Sequence, residues 1–279
     1  MTLRRHADNY GQNIWSPRRG DRALLTANRS NIGRVRQVNE DESWVGQLDN
    51  GVTLAIVADG MGGHQAGDVA SSLAVSSFRQ ALEKNAGKSN LSVEECRMMI
   101  RQAISEANEA IYALASKNES YHNMGTTIVA ALIHDAHAVI GHVGDSRAYK
   151  VAGGGMELLT ADHSLVNELV KSGQLSLEEA LHHPRRNVLT RAIGTDSQVS
   201  IDVQTMEWSS GDVLLLCSDG LTNMVSEEQM LTTVSSGEMD LEAKADHLIQ
   251  LALEAGGDDN VTLVLLQEAS AAMREERSL

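Results

Sequence analysis

His137-Ala-Val-Ile-Gly-His-Val143, then Gly144-Asp145, then Ser146-Arg-Ala-Tyr-Lys-Val151: two short apolar runs flank a glycine-aspartate break. Runs of this length, rich in β-branched residues and bounded by turn formers, read as strands. A connection this short predicts that 137–143 and 146–151 pair as an antiparallel hairpin. Further strands are expected at 52–58, 126–133, 213–217 and 261–266, and long helical patterns at 67–84, 92–116 and 241–254. Ser92 followed by Glu94 and Glu95 reads as the N-cap of the second helix. Hairpins beside long helices imply α+β layers rather than a doubly wound parallel sheet. Residues 162–187 stand apart: polar, with short helical stretches at 165–171 and 176–182, they read as a surface excursion or a mobile flap near a site.

The strand ends share one feature. Ala58-Asp59-Gly60, Gly144-Asp145 and Ser218-Asp219-Gly220 each follow an apolar run, Gly257-Asp258-Asp259-Asn260 precedes one, and Asn39-Glu40-Asp41 lies upstream. A single Asp-Gly after a strand is ordinary turn chemistry. Recurrence at this many ends is not. If the last strand runs antiparallel to those ending at Asp59 and Asp219, the carboxylates meet at one edge. Crowded carboxylates repel and resist ionising together; a divalent cation removes that cost. All-oxygen donors suit Mg²⁺ or Mn²⁺, and no His or Cys set has zinc spacing. The glycine after each aspartate lets the chain turn sharply and can bring a backbone carbonyl onto an ion.

Composition narrows the classes further. The 279 residues are 42% hydrophobic with no Pro-, Gly- or Ser-rich linker, so a single domain is expected. With only 3% aromatics, the core must be filled by Leu, Val, Ile, Ala and the 11 methionines. A net charge of −15 disfavours general affinity for nucleic acid or anionic membranes. Two cysteines without metal-type pairing, no signal-like apolar start and no membrane-length apolar run predict a cytoplasmic protein. Residues 1–29 carry six arginines against two aspartates and read as a basic arm, either a solvated tail or a docking arm for an acidic partner.

Several other constellations carry less. The glycine-rich run Gly60–Gly67 lacks the Gly-Lys-Ser/Thr of a nucleotide loop. Asp162-His163-Ser164 are adjacent, and three neighbours seldom converge on one atom as a hydrolase triad. Cys217 sits inside an apolar strand, without the basic surroundings of a nucleophile. Met98-Met99 reads as core or groove.

At these blocks the sequence resembles the metal-dependent protein phosphatases of the type 2C class, in their bacterial form. The resemblance runs through Gly33-Arg34-Val35-Arg36-Gln37-Val38-Asn39-Glu40-Asp41, Val57-Ala58-Asp59-Gly60-Met61-Gly62-Gly63-His64 and Gly125-Thr126-Thr127. It continues through Gly141–Arg147, Asp162-His163-Ser164, Leu189–Gly194, Cys217–Leu221 and Gly257–Asn260, covering roughly residues 30–268 in order. It implies a four-layer α-β-β-α sandwich with two central antiparallel sheets, a catalytic domain over 30–268 with a flap at about 165–187, and a C-terminal tail at 269–279. By the same resemblance Asp59 bridges two ions, Glu40 and the Gly60 carbonyl complete one, Asp219 and Asp259 hold the other, and Asp145 with Asp219 binds a third, weaker ion. Arg36 matches the arginine that grips the substrate phosphate, so Asp59, Asp219 and Arg36 are the expected catalytic set.

The implied activity is hydrolysis of phosphoserine and phosphothreonine by water activated at a Mn²⁺ or Mg²⁺ centre. The expected partners are phosphorylated proteins, including a serine/threonine kinase and its substrates, and the expected state is monomeric. The alternatives are a non-catalytic relative that binds phosphoproteins and a phosphatase of small metabolites. Animal members carry a histidine after the Asp-Gly pair as general acid; here Met61 stands there, and His64 reads as structural or as a hydrogen-bond partner.

Overall fold

Buried apolar residues occupy both faces of the central strands, which therefore must lie between two layers rather than at a surface. A computed structural model describes residues 24–62, 66–84 and 91–268. Its elements run β1 (Leu24–Asn31), β2 (Asp41–Gln47), β3 (Thr53–Met61), α1 (Gly67–Lys84), α2 (Val93–Lys117), β4 (Gly125–Thr126), β5 (Ile128–His134), β6 (His137–Val143), β7 (Arg147–Ala152) and β8 (Gly155–Leu158). They continue with α3 (Leu165–Lys171), α4 (Leu177–Leu181), β9 (Asp202–Glu207), β10 (Val213–Cys217), α5 (Asp219–Thr222), α6 (Glu227–Ser235), α7 (Leu241–Glu254) and β11 (Val261–Glu268).

Alternation along single strands sets the layers. In β3, Leu54, Ile56 and Ala58 pack with α1 and α2, while Ala55 and Val57 face the other way. In β10, Val213, Leu215 and Cys217 pack with α6 and α7, while Leu214 and Leu216 face inward. The inward sets meet between the sheets with Val129, Ala131, Ile140, Val264 and Leu266. Period-two side-chain placement thus yields helix, sheet, sheet, helix. The middle layer is thin-chained, as the low aromatic content requires, with Trp208 its one large ring among the buried residues.

One sheet has the order β1-β11-β10-β7-β8, the other β2-β3-β5-β6-β9 with β4 beside β3. Every strand pair is antiparallel among the described residues. The expected four-layer α+β architecture is therefore present.

The hairpin expected between 137–143 and 146–151 does not form. β6 pairs with β5 across the two-residue Asp135-Ala136 turn, where Asp135 takes φ 51°, and β7 pairs with β8 and β10 in the opposite sheet. Gly144-Asp145-Ser146 is the link that carries the chain from one sheet to the other. Two apolar runs reveal that each is a strand, not which strand each adopts as neighbour. The last residues of the expected arm belong to a strand: Leu24–Asn31 pairs with Val261–Glu268 at the sheet edge, tied to α7 by Arg29 against Glu242 and Asp246. The remainder of the arm, residues 1–23, and the tail 269–279 lie outside the described residues.

Helices α1 and α7 match the expected spans, and α2 starts at Val93 behind a Ser92–Glu95 capping box. The 165–187 excursion carries two short helices without a buried residue, and a Ser164–Leu189 bridge closes its base. No described helix is long and apolar enough to cross a membrane.

Candidate metal centre

The sheet registers bring the acidic strand ends together. Asp41 opens β2 directly opposite Asp59 near the end of β3. β10 ends at Cys217, so Asp219 begins α5 just beyond it. β11 runs antiparallel to β10 and starts at Val261, which sets Asp259-Asn260 beside Ser218-Asp219. β6 ends at Val143 and delivers Asp145. The sequence condition on the last strand's direction thus holds for β10.

The acidic residues are held by their neighbours, Asp59 through its backbone and Asp219 and Asp41 through their side chains. The Asp59 N–H donates to Thr127 Oγ1 (3.0 Å), and the Asp59 carbonyl accepts from Thr127 N–H (2.9 Å) and Thr126 Oγ1 (2.8 Å). Thr127 Oγ1 also lies 2.7 Å from Ser146 Oγ, which ties the turn carrying Asp145 to the strand carrying Asp59. Asn223 Nδ2 donates to Asp219 Oδ2 at 3.0 Å. Ser218 Oγ donates to Asp41 Oδ2 at 2.8 Å. Gly60 is required by close approach: a Cβ there would collide with the carbonyl oxygens of Gly67 and Glu40. Its absence lets Gly60 N–H reach the Glu40 carbonyl at 3.1 Å, and the Gly67 N–H at the start of α1 meets the Glu40 carboxylate.

The electrostatics are unfavourable as they stand. Burial, then the charges of Asp41, Asp219, Asp145 and Asp259, push the Asp59 carboxyl well above the usual range. Burial and Asp219 push Asp145 up to about 7. Burial, against hydrogen bonds from Thr262 and Ser218, pushes Asp41 up to about 7. Asp219 is raised by burial and Asp259, and it shares a side-chain hydrogen bond with Asp59. Glu40 is raised by burial, with Arg36 pulling the other way. Asp41 Oδ1 is buried and has no hydrogen-bond partner among the described residues. Such a cluster is stable in its ionised form only with compensating positive charge at its centre. The donors are all oxygen, which fits Mg²⁺ or Mn²⁺. The residues present therefore fit the expected ions.

Arg36 lies on the exposed loop before β2, and its Nη2 donates to Asp259 Oδ2 at 2.7 Å. Burial disfavours its charge, but Asp259, Glu40 and Asp59 more than offset this and raise its pKa. The expected phosphate-gripping residue thus stands at the rim of the cluster, half exposed.

The remaining candidates separate. Asp162 pairs with Arg147 (2.7 Å), Ser164 caps α3, and His163 turns inward, so no triad exists. Burial pushes the Cys217 thiol up to about 12. Ligand atoms of His142, His163 and Asp202 lie within 4.8 Å of one another. The two rings are stacked at 4.7 Å, so their in-plane lone pairs do not converge, and Arg191 already occupies Asp202 (3.1 Å). His163 Nδ1 also accepts from the Gly144 N–H, and His142 Nε2 lies 3.1 Å from the Ala161 carbonyl, so the group is already engaged within the protein. His64 lies outside the described residues. Asp41 was visible only as one member of the Asn39-Glu40-Asp41 triplet; its pairing opposite Asp59 follows from register. Thr127 and Asn260 carry no charge, and only the fold shows what they hold.

The family profile described as Protein phosphatase 2C matches residues 30–253. The serine/threonine phosphatase stp of Listeria monocytogenes is 42% identical over 239 residues, covering 86% of this chain and 94% of that protein. The crystal structure of the Mycobacterium tuberculosis serine/threonine phosphatase PstP/Ppp superposes with a TM-score of 0.79 at 35% identity, over 88% of this chain and 99% of the other. The PstP catalytic domain in complex with 2 manganese ions gives 0.77 at 34% identity, over 88% of this chain and 99% of that one. Sequence, fold and the clustered carboxylates agree: the chain belongs to the protein phosphatase 2C family, among its bacterial metal-dependent serine/threonine phosphatases.

Proposed function

We propose that this serine/threonine protein phosphatase holds one divalent cation through Glu40, Asp59 and the Gly60 carbonyl, and a second through Asp59, Asp219 and Asp259. Asp145 with Asp219 offers a third, weaker site. The observation that carries this reading is the convergence of buried, mutually repelling carboxylates on Asp59, which burial and its neighbours push well above the usual range. When bound, Mn²⁺ or Mg²⁺ acidifies water for attack on phosphorus and offsets the charge of the phosphate.

The chain's own residues do the rest. Thr126 and Thr127 immobilise Asp59, Asn223 orients Asp219, and Ser218 orients Asp41. Arg36 exchanges its contact with Asp259 for two phosphate oxygens, because a planar guanidinium matches phosphate better than a single carboxylate oxygen does. The described site presents no competent thiol, which supports direct hydrolysis without a phospho-enzyme. Keeping every one of these carboxylates serves hydrolysis and is unnecessary for phosphopeptide binding alone. The targets we infer are phosphorylated proteins, among them a serine/threonine kinase and its substrates, in the cytoplasm.

Hydrolysis of a phosphothreonine peptide tests the reading. Turnover should require Mn²⁺ or Mg²⁺ and stop with chelator; chelator-resistant turnover would refute it. Arg36→Ala should lower kcat/KM by about 10–100-fold, the loss of a charge-assisted contact of about 1.5–3 kcal/mol, mostly through KM. A KM equal to wild type would remove Arg36 from the phosphate site.

A further inference from the structure

Loop 32–40 carries both Arg36 and Glu40, yet it has little apolar surface to hold it down: Ile32 and Arg34 through Val38 are all exposed. Its position is set by polar contacts, three of which converge on one side chain. Asn260, 4% exposed, accepts the Glu40 N–H on Oδ1 (2.8 Å) and donates from Nδ2 to the carbonyls of Ile32 (2.9 Å) and Val38 (3.0 Å). Its own N–H donates to Asp259 Oδ1 at 2.8 Å. An amide offers one acceptor and two donors at this reach. Aspartate lacks the donors and serine the second one, so the site is specific for this side chain.

We infer that Asn260 is a positioning residue that sets Arg36 and Glu40 together, so that phosphate grip and cation affinity depend on one clamp. The inference rests on the roles proposed above for those two residues. The clamp has a second half. Arg34 N–H donates to the Gly257 carbonyl at 2.7 Å. Gly33 takes φ +80°, and a Cβ there would collide with the Asp259 carbonyl and press on that of Gly257. The loop is thus laid backbone to backbone on the 257–260 turn, which also supplies Asp259. The backbone positions of Glu40, Arg36 and Asp259 are thereby set as one assembly. Residues that orient ligands from behind commonly change metal affinity by about 10–100-fold when lost.

The experiment measures Asn260→Ala and Gly33→Ala in the full chain. Mn²⁺ affinity is read by calorimetry without substrate, kcat and KM with a phosphothreonine peptide, and trypsin cleavage after Arg34 and Arg36 by mass spectrometry. Both variants should raise the Mn²⁺ Kd and the peptide KM together, each by about 10–100-fold, and should expose the loop to trypsin. A purely structural role would lower only the amount of active enzyme, leaving KM and Kd at wild-type values. That result, or an opened loop with both constants unchanged, overturns the inference. If Asn260→Ala loses its cooperative melt, Gly33→Ala and Asn260→Ser carry the same readouts. A wild-type chain inactive on the peptide would count against the phosphatase reading alone, because the trypsin pattern reports the clamp without catalysis.

Discussion

Asp219→Asn is expected to cut cation-dependent hydrolysis of a phosphothreonine peptide by about a thousandfold or more, while raising the melting temperature of the chelated protein. The two effects have one cause. Asparagine keeps the shape of the side chain and removes its charge. In the chelated protein Asp219 is raised by burial and Asp259, and its charge in turn raises Asp59, Asp145 and Asp41. Deleting that charge relieves repulsion and stabilises the metal-free fold. With cation present the same deletion removes an anionic donor, and several kcal/mol of lost charge stabilisation corresponds to about three powers of ten. Steady-state kinetics and thermal unfolding, each with and without chelator, read both effects. Retained turnover, or a lower melting point in chelator, would contradict the account.

The second large effect is on pH dependence. In the metal-free protein Asp41 and Asp145 are held at about 7, against 3.8 for a free aspartate. A carboxyl raised on folding binds its proton more tightly in the native state, so stability rises as pH falls through that folded value. His163 acts in the opposite sense: burial lowers it from 6.5 to about 4, with His142 and Arg191 adding to the effect. The unfolded chain takes up that proton first, and stability declines between those two values as pH falls. The urea midpoint of chelated protein should therefore start to climb as pH falls through about 7, an upper limb set by Asp41 and Asp145, and keep climbing towards 3.8, with His163 opposing part of that gain below about 6.5. Saturating Mg²⁺ keeps the carboxylates ionised and should abolish the upper limb. An upper limb that is flat in chelator, or unchanged by Mg²⁺, would show that these carboxylates do not share one centre.

The α+β class was legible because short apolar runs lie beside segments such as α1 and α7 that keep helical spacing throughout, whereas the four-layer arrangement came only from the family resemblance. Pairing was not legible. The runs 137–143 and 146–151 have the right length and spacing for a hairpin, but the choice of neighbour is made by contacts distant in sequence, such as Ala148 opposite Leu216. β1 escaped notice because Leu24–Asn31 ends in four consecutive polar residues and follows an arginine-rich stretch, so composition masked a strand that β11 completes. At the site, charge made Glu40, Asp59, Asp145, Asp219 and Asp259 visible at strand ends. Thr127, Ser218 and Asn260 were silent, since a hydroxyl or an amide declares its purpose only through the atoms it reaches.

The central claim, that cations gather on Asp59, is tested most directly by crystals grown with Mn²⁺ and an anomalous difference map. Two strong peaks sharing an Asp59 oxygen are expected, one also touching Glu40 or the Gly60 carbonyl and the other touching Asp219 and Asp259. Manganese bound elsewhere, with no peak on Asp59, would contradict it.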